Sequence, residues 1–292
     1  MAHADKSREI DQATGTEMTG HEWDGIRELD TPTPRWWLWT FVATVIWALG
    51  YTIAMPAWPL VKDYTRGLLG YSQRAKVAAD VAAARARQAR FSNALLPASF
   101  AEIEADPNLL RYAMAAGRTA FQDNCAPCHG VGGQGAMGYP NLADDDWLWG
   151  GRYGDIHETL RVGIRSQHPE TRFSMMLAFG RDGILSAEEI RNVAEYVRSL
   201  SKQPHHEERA AIGAEIFAQQ CASCHGAAGT GNAMLGAPNL TDAIWLYGGD
   251  LASIMDSIAN GRGGVMPTWE GRLDPAMLKS LAVYVHALGG GE

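Results

Sequence analysis

Four cysteines carry the most specific chemistry in this chain, and they fall in two short motifs, "CAPCHG" and "CASCHG". Each motif contains a C-x-x-C pair followed directly by a histidine. The residues are Cys125, Cys128 and His129 in the first motif and Cys221, Cys224 and His225 in the second. Two thiols at this spacing can add to the vinyl groups of haem as thioethers, and the next residue brings an imidazole to the iron. The motifs therefore predict two covalently bound haem c groups.

Four cysteines have other uses, namely two disulfides, a structural zinc site or a redox dithiol. The two C-x-x-C pairs begin 96 residues apart, whereas the halves of a zinc site are usually about 15–20 residues apart. A thioredoxin-like dithiol needs a βαβ setting, and strand-like alternation is scarce in this sequence. The histidine after each pair, repeated in matching surroundings, favours haem over these alternatives.

The composition limits the classes of function. The chain has 292 residues, enough for about two ordinary domains. Its 33 acidic residues exceed its 25 Lys and Arg residues, which argues against a nucleic-acid partner, because such a partner requires a basic face. The 32 glycines indicate short helices joined by long glycine-rich loops.

An uncharged run begins at Trp36 and continues to Val61, and its first 20 residues are strongly apolar. A bilayer core of ~30 Å needs ~20 apolar residues in a helix, and the tryptophans near both ends suit the two membrane interfaces. The sequence therefore predicts a cytoplasmic N-terminal tail at 1–35 and a transmembrane helix at 36–61.

The orientation of that helix has conflicting signals. Basic residues are more frequent just after the span than before it, which alone would place the C-terminal side in the cytoplasm. Haem attachment to C-x-x-C-H takes place in the periplasm, and long domains translocate largely regardless of flanking charge. We therefore expect a single-pass protein of the bacterial inner membrane with its haem domains in the periplasm.

An internal repeat fills the chain from about residue 108. "AAGRTAFQDNCAPCHG" matches "AIGAEIFAQQCASCHG", and "YPNLADDDWLWGG" matches "APNLTDAIWLYGG". Each copy closes with a helix of apolar periodicity, and the polar linker "SKQPHHEE" separates the copies. The predicted organisation is a helical connector at 62–107, a first repeated domain at 108–201 and a second at 202–292.

The layout of each copy resembles the class I cytochrome c fold, in which an N-terminal helix, C-x-x-C-H, a loop over the haem and a C-terminal helix follow one another. The resemblance implies a mainly α protein with one N-terminal transmembrane helix and two tandem class I cytochrome c domains. In that fold, Gly and Phe of the first helix cross an aromatic residue of the last. We expect each crossing within one copy: Gly117 and Phe121 on Tyr196, and Gly213 and Phe217 on Tyr284.

The sixth iron ligand separates electron transfer from catalysis, because an open position could bind peroxide or gas. Methionine as sixth ligand favours ferrous iron and raises its potential. In the second copy, "GGVMPTWEG" offers Met266, followed by proline as in the usual cytochrome c ligand loop. In the first copy, "RFSMMLAFG" has two candidates, and Leu177 stands where proline is expected. Aligning the following aromatic residues selects Met176, aligning the following glycines selects Met175, and we prefer Met176.

Two prolines precede Asn-Leu at matching places in the copies, Pro140 and Pro238. In class I cytochromes, the carbonyl of such a proline accepts a hydrogen bond from the second ring nitrogen of the ligand histidine. That bond fixes the ring and tunes the metal. We expect the same role for both prolines here.

The N-terminal part carries a more specific resemblance. "GHEWDGIRELDTPTPRWWLWTF", "MPAWPLV", "GYSQRAKVAADVAAARARQAR" and "GIRSQHPETRFSMMLAFG" are similar to the di-haem CcoP (FixP) subunit of cbb3-type cytochrome c oxidases. The resemblance covers the chain from about His21. It implies an electron-transfer subunit without a catalytic centre of its own, which passes electrons from a donor cytochrome c toward the mono-haem subunit and the haem-copper catalytic subunit.

Two further alternatives stay open from the sequence, a di-haem cytochrome c of another respiratory complex and a di-haem peroxidase.

The sequence signals for partner surfaces are less specific. Residues 204–292 have four Lys and Arg against nine Asp and Glu, which suits a basic donor. Residues 72–92 have five Lys and Arg and one Asp, so this connector either lies on anionic lipid, packs on a partner subunit or is a solvated linker helix.

Overall fold

The computed structural model describes residues 9–290 of the chain. The chain forms two compact units that divide between Ala84 and Arg85. The first unit contains the apolar helix, and the second contains both C-x-x-C-H motifs. The described residues are mainly helical, as the sequence predicts.

The first unit begins with an antiparallel hairpin of β1 (Met18–Trp23) and β2 (Ile26–Leu29). Asp24 and Gly25 between the strands have φ values of 50° and 85°, and positive φ at both central residues is the mark of a type I′ hairpin turn. This hairpin lies in the predicted N-terminal tail, for which the sequence indicated no folded element.

The apolar run forms α1 (Arg35–Ala54), a helix of 20 residues. By length and composition, α1 is the one helix among residues 9–290 that is able to cross a membrane, and none of its residues is buried within the protein. The helix ends earlier than the predicted span 36–61, because Pro56 disfavours helical geometry at Met55, which is extended with φ −112° and ψ 162°.

Two helices follow the apolar helix before the repeat begins. α2 (Gln73–Leu95) and α3 (Phe100–Ala105) lie in the predicted connector. Ser99 and Glu102 form a reciprocal capping box at the start of α3, which satisfies backbone N–H groups that a helix start leaves free.

The repeat forms eight helices in two matching series. In each series a long helix, the one-turn C-x-x-C-H helix, a mid-copy helix and a closing helix follow one another. They are α4 (Pro107–Asn124), α5 (Ala126–His129), α6 (Tyr153–Val162), α7 (Ala187–Leu200), α8 (Glu207–Gln220), α9 (Ala222–His225), α10 (Leu251–Asn260) and α11 (Pro275–His286).

The closing helices are exchanged between the two copies. One hydrophobic core joins residues of α4 and α6 to α11, and a second core joins α8 and α10 to α7. We call the first assembly the His129 half (α4, α5, α6 and residues 266–286). The second is the His225 half (α8, α9, α10 and residues 176–200). Each half therefore contains helices from both copies of the repeat.

Close helix crossings show the exchange directly. A Cβ on Gly117 would lie 2.3 Å from the carbonyl oxygen of Ser280 in α11, and a Cβ on Gly213 would lie 2.0 Å from that of Asn192 in α7. Only glycine permits backbones to approach this closely.

The aromatic pairs cross in the same way. The ring centroids of Phe121 and Tyr284 are 5.4 Å apart, and those of Tyr196 and Phe217 are 5.2 Å apart. The expected pairings of Phe121 with Tyr196 and of Phe217 with Tyr284 are therefore wrong. Both copies carry the same Gly, Phe and Tyr signals, so either closing helix complements either first helix.

Candidate functional site

Each C-x-x-C-H motif forms a single helical turn directly after a long helix. The backbone N–H of His129 donates to the carbonyl of Cys125 (2.9 Å), and that of His225 donates to Cys221 (3.0 Å). This i, i+4 geometry puts the first cysteine and the histidine on one face of the turn. In each pair the first cysteine is the more buried and the second is exposed.

The two prolines hold the histidine rings. Nδ1 of His129 lies 3.0 Å from the carbonyl oxygen of Pro140, and Nδ1 of His225 lies 3.0 Å from that of Pro238. A carbonyl oxygen can only accept, so Nδ1 is the protonated nitrogen and Nε2 keeps its lone pair. Each ring is thus fixed in the tautomer that can bind a metal through Nε2.

Burial sets the charge state of both motifs. Burial lowers the pKa of His129 and of His225, with the proline hydrogen bond acting in the opposite direction. Burial also raises the pKa of the Cys125 and Cys221 thiols to about 11, and the partner cysteine of each pair adds to the rise. Both motifs therefore favour neutral imidazole, the form that can bind a metal, and protonated thiols at neutral pH.

The His225 half contains a cavity of about 280 Å³. Hydrophobic side chains and a small set of sulfur and nitrogen groups line it, including both cysteines of the motif. The sulfur groups and the imidazole belong to Met175, Met176, Cys221, Cys224 and His225, and Arg165 and Arg262 also line the cavity. The exchange of the closing helices therefore brings the methionines of the first copy to the histidine of the second.

The two adjacent methionines differ in their surroundings. Met176 is partly buried against the core of the His225 half, and its backbone N–H donates to the carbonyl of Arg262 (3.0 Å). The Met175 residue is 54% exposed. Met176 is thus the methionine that is held against the core of the His225 half.

Met266 occupies the corresponding place in the His129 half. It packs against the core that contains Phe121 and Cys125. Two backbone hydrogen bonds tie it to Ile164, directly after α6, with N–O distances of 2.9 and 3.0 Å. The Met266 segment of the second copy is thus attached to the half that contains His129 of the first copy. The Met176 segment of the first copy is attached to the half that contains His225 of the second copy.

Models of known families match three parts of the chain. Residues 15–62 match the N-terminal domain of cytochrome oxidase-cbb3, FixP; residues 114–201 match cytochrome c; and residues 208–285 match cytochrome C oxidase, cbb3-type, subunit III.

Full-length relatives agree with these matches. The chain is 56% identical over 285 residues to the Cbb3-type cytochrome c oxidase subunit FixP of Bradyrhizobium sp. (strain ORS 278), which covers 97% of this chain and 98% of the relative. It is 53% identical over 275 residues to the subunit CcoP of Cereibacter sphaeroides, covering 94% and 95%. The chain belongs to the FixP/CcoP family of cbb3-type cytochrome c oxidase subunits. As a FixP/CcoP chain it is a membrane-associated, di-cytochrome c electron-transfer subunit.

The donor set of the FixP/CcoP chain fits two haem c groups. Each cytochrome c segment contributes one C-x-x-C pair for the two thioether bonds. Each half adds a neutral imidazole with a free Nε2, and the lining of the His225 cavity is mostly apolar. Haem c supplies a one-electron iron couple in such a site. The crossed helices decide which protein groups surround it.

Two features of this region were not predicted from the sequence. The carboxyl of Asp146 hydrogen-bonds that of Asp242, which is in the loop of the other half. Burial raises the pKa of Asp146 to about 6, and the negative charges of Asp242, Asp144 and Asp145 add to the rise. The second feature is Arg165, whose side chain contacts both methionine-bearing segments. Asp146 is 96 residues from Asp242 and Arg165 is 99 residues from Gly264, so no local sequence signal indicates these contacts.

Proposed function

We propose that this FixP/CcoP subunit binds its two haem irons through axial pairs formed across the repeat. His129 pairs with Met266, and His225 pairs with Met176. The observation that carries the proposal is the cavity of the His225 half, which Met176 of the first copy lines together with Cys221, Cys224 and His225 of the second. Met176 is preferred to Met175 because Met175 is 54% exposed.

The protein groups then act as follows. The thioether of each methionine stabilises ferrous iron and raises the potential. The carbonyls of Pro140 and Pro238 hold the imidazole rings and increase their basicity. The mostly apolar lining disfavours water in the site. These properties favour rapid one-electron exchange over the binding of peroxide or gas.

The subunit accepts electrons from a donor cytochrome c and delivers them to the mono-haem subunit and then to the haem-copper catalytic subunit. Its apolar helix, α1, spans the bacterial inner membrane with the N-terminal tail in the cytoplasm and the haem-bearing unit in the periplasm. Support comes from the family and from the length and composition of α1. Protease added to spheroplasts should digest the haem-bearing unit; protection of that unit would contradict this orientation.

The ligand assignment can be tested on the purified oxidase subunit by a redox-monitored optical titration with a pyridine haemochrome count. Two low-spin haems are expected, both with the weak near-infrared band of methionine-ligated ferric haem. The substitution Met176→His or Met266→His should remove one haem's share of the band. The control Met175→Leu should leave both shares intact.

Other outcomes would point elsewhere. A high-spin haem in the unmodified chain would favour the peroxidase alternative. Loss of the band in Met175→Leu, with retention in Met176→His, would reverse the choice of methionine. Purification with a complex that lacks a haem-copper subunit would favour a cytochrome of another respiratory complex.

A further inference from the structure

One arginine side chain contacts both methionine-bearing segments, which also meet through the backbone hydrogen bond from Met176 N to the carbonyl of Arg262. Nε of Arg165 donates a hydrogen bond to the carbonyl oxygen of Gly264, and a terminal guanidinium nitrogen donates to the carbonyl oxygen of Ser174. Ser174 lies two residues before Met176, and Gly264 lies two residues before Met266. One planar group therefore contacts both segments at equivalent positions.

Arg165 lies in an insertion that only the first copy has. Thirteen positions separate Gly163 from Met176, whereas five separate the matching Gly261 from Met266, so the first copy has eight additional residues. The insertion is ordered by its own contacts. Arg165 N donates to the carbonyl of Arg172 (2.8 Å) at the far end of the loop.

The backbone of Arg165 is held in a costly conformation. Its φ is +50°, in the left-handed region that residues other than glycine rarely adopt. Such strain persists only where the surroundings enforce it. In this backbone conformation the guanidinium lies in the cavity wall, which Ser174, Met175 and Gly264 also line.

The charge of Arg165 is satisfied by carbonyl groups. No carboxylate is within ion-pair distance of Arg165 among residues 9–290. A guanidinium offers five donors in a fixed planar fork, so it can hold two separate carbonyls in one relative position. An ion pair would not require this geometry.

We propose that Arg165 is a positioning residue shared by both haem sites, which holds the Met176 and Met266 segments against their irons at the same time. The proposal rests on the crossed ligand assignment proposed above. It gives the insertion a function, because the guanidinium can contact both segments only from this loop. It also makes the two methionines depend on one another, although they lie in different halves.

The test isolates each site by removing the other methionine. In a Met266→His chain the near-infrared band reports Met176 alone, and in a Met176→His chain it reports Met266 alone. Ferric protein is titrated with imidazole, which competes with the methionine, and loss of the band gives the apparent imidazole affinity. Arg165→Gln should strengthen imidazole binding about tenfold in both chains, equivalent to ~1.4 kcal/mol at each site.

The matched control is Arg181→Gln, since Arg181 is exposed and pairs with Asp182; it should leave both affinities unchanged. Arg165→Lys keeps the charge and the aliphatic stem but lacks the fork, so it should loosen at least one site if Arg165→Gln fails to mature. An unchanged affinity at either site in Arg165→Gln overturns the shared role. If neither single-methionine chain has the band before Arg165 is changed, the ligand assignment fails instead.

Discussion

A double-mutant cycle between Phe121 and Tyr284 would measure the exchange of closing helices as an energy. Phe121 is fully buried, and its ring centroid lies 5.4 Å from that of Tyr284 at an interplanar angle of 55°. A tilted aromatic pair contributes about 0.5–1.5 kcal/mol beyond the area it buries. Replacing each ring by Leu should cost about 0.5–3 kcal/mol. The double variant should cost less than the sum by that coupling energy.

The assay is denaturant unfolding of the holoprotein in detergent, followed by haem absorbance and by circular dichroism. The free energies are comparable only if the denaturant dependence is the same in all four chains, because a changed slope indicates a changed unfolded or folded state. Coincident transitions by the two probes support a two-state analysis.

Matched pairs decide between the two arrangements. Tyr196 and Phe217, whose centroids are 5.2 Å apart, should show a similar coupling. The pair Phe121 and Tyr196 should couple by less than about 0.5 kcal/mol, as expected for side chains that share no contact. A coupling near 1 kcal/mol in that last pair, with none between Phe121 and Tyr284, would refute the exchange.

Three other predictions follow from the same structure. Gly213→Ala should destabilise the protein by about 1–3 kcal/mol in denaturant unfolding, because its Cβ would lie 2.0 Å from a carbonyl oxygen of α7. The control Gly154→Ala should not destabilise it, because open space surrounds the new methyl group. The folded chain holds the Asp146 proton up to about pH 6, whereas an unfolded aspartate releases it near pH ~3.9, so stability should fall as pH rises between these values. The melting temperature should depend less on pH over that range in Asp146→Asn. An equal dependence would contradict the raised pKa of Asp146. A chain ending at Lys202 keeps His129 and Met176 but lacks α11, so its near-infrared methionine band should be absent; a retained band would favour pairing within one copy.

Local features of the haem sites followed from the sequence, whereas their assembly did not. The C-x-x-C-H turns and the Pro140 and Pro238 carbonyls depend on contacts within about 15 residues, which a repeated motif can reveal. The choice between α7 and α11 depends on contacts that the two copies offer equally. Near-identical Gly, Phe and Tyr positions give either pairing the same apparent complementarity.

The exchange becomes predictable only when the chain between the helices is considered. Only six residues, 201–206, separate α7 from α8, and these two helices pack in one core. The role of Arg165 depends on the same crossing, because its two acceptor carbonyls are 90 residues apart in sequence, at Ser174 and Gly264. The hairpin at 18–29 was missed for a different reason, since Asp24–Gly25 is a turn signal inside a segment with few apolar residues.

The crossed helices also determine the order in which the two halves can be completed during synthesis. Phe121 meets its partner Tyr284 only after another 163 residues have been made, whereas Phe217 meets Tyr196 within 21. At a synthesis rate of ~5–20 residues per second, the first delay is roughly 10–30 s. During that interval α11, the closing helix that packs in the His129 half of the folded chain, does not yet exist. The second motif has its closing helix already made when it emerges. The order of synthesis therefore leaves the first motif without the closing helix of its folded half for longer than the second.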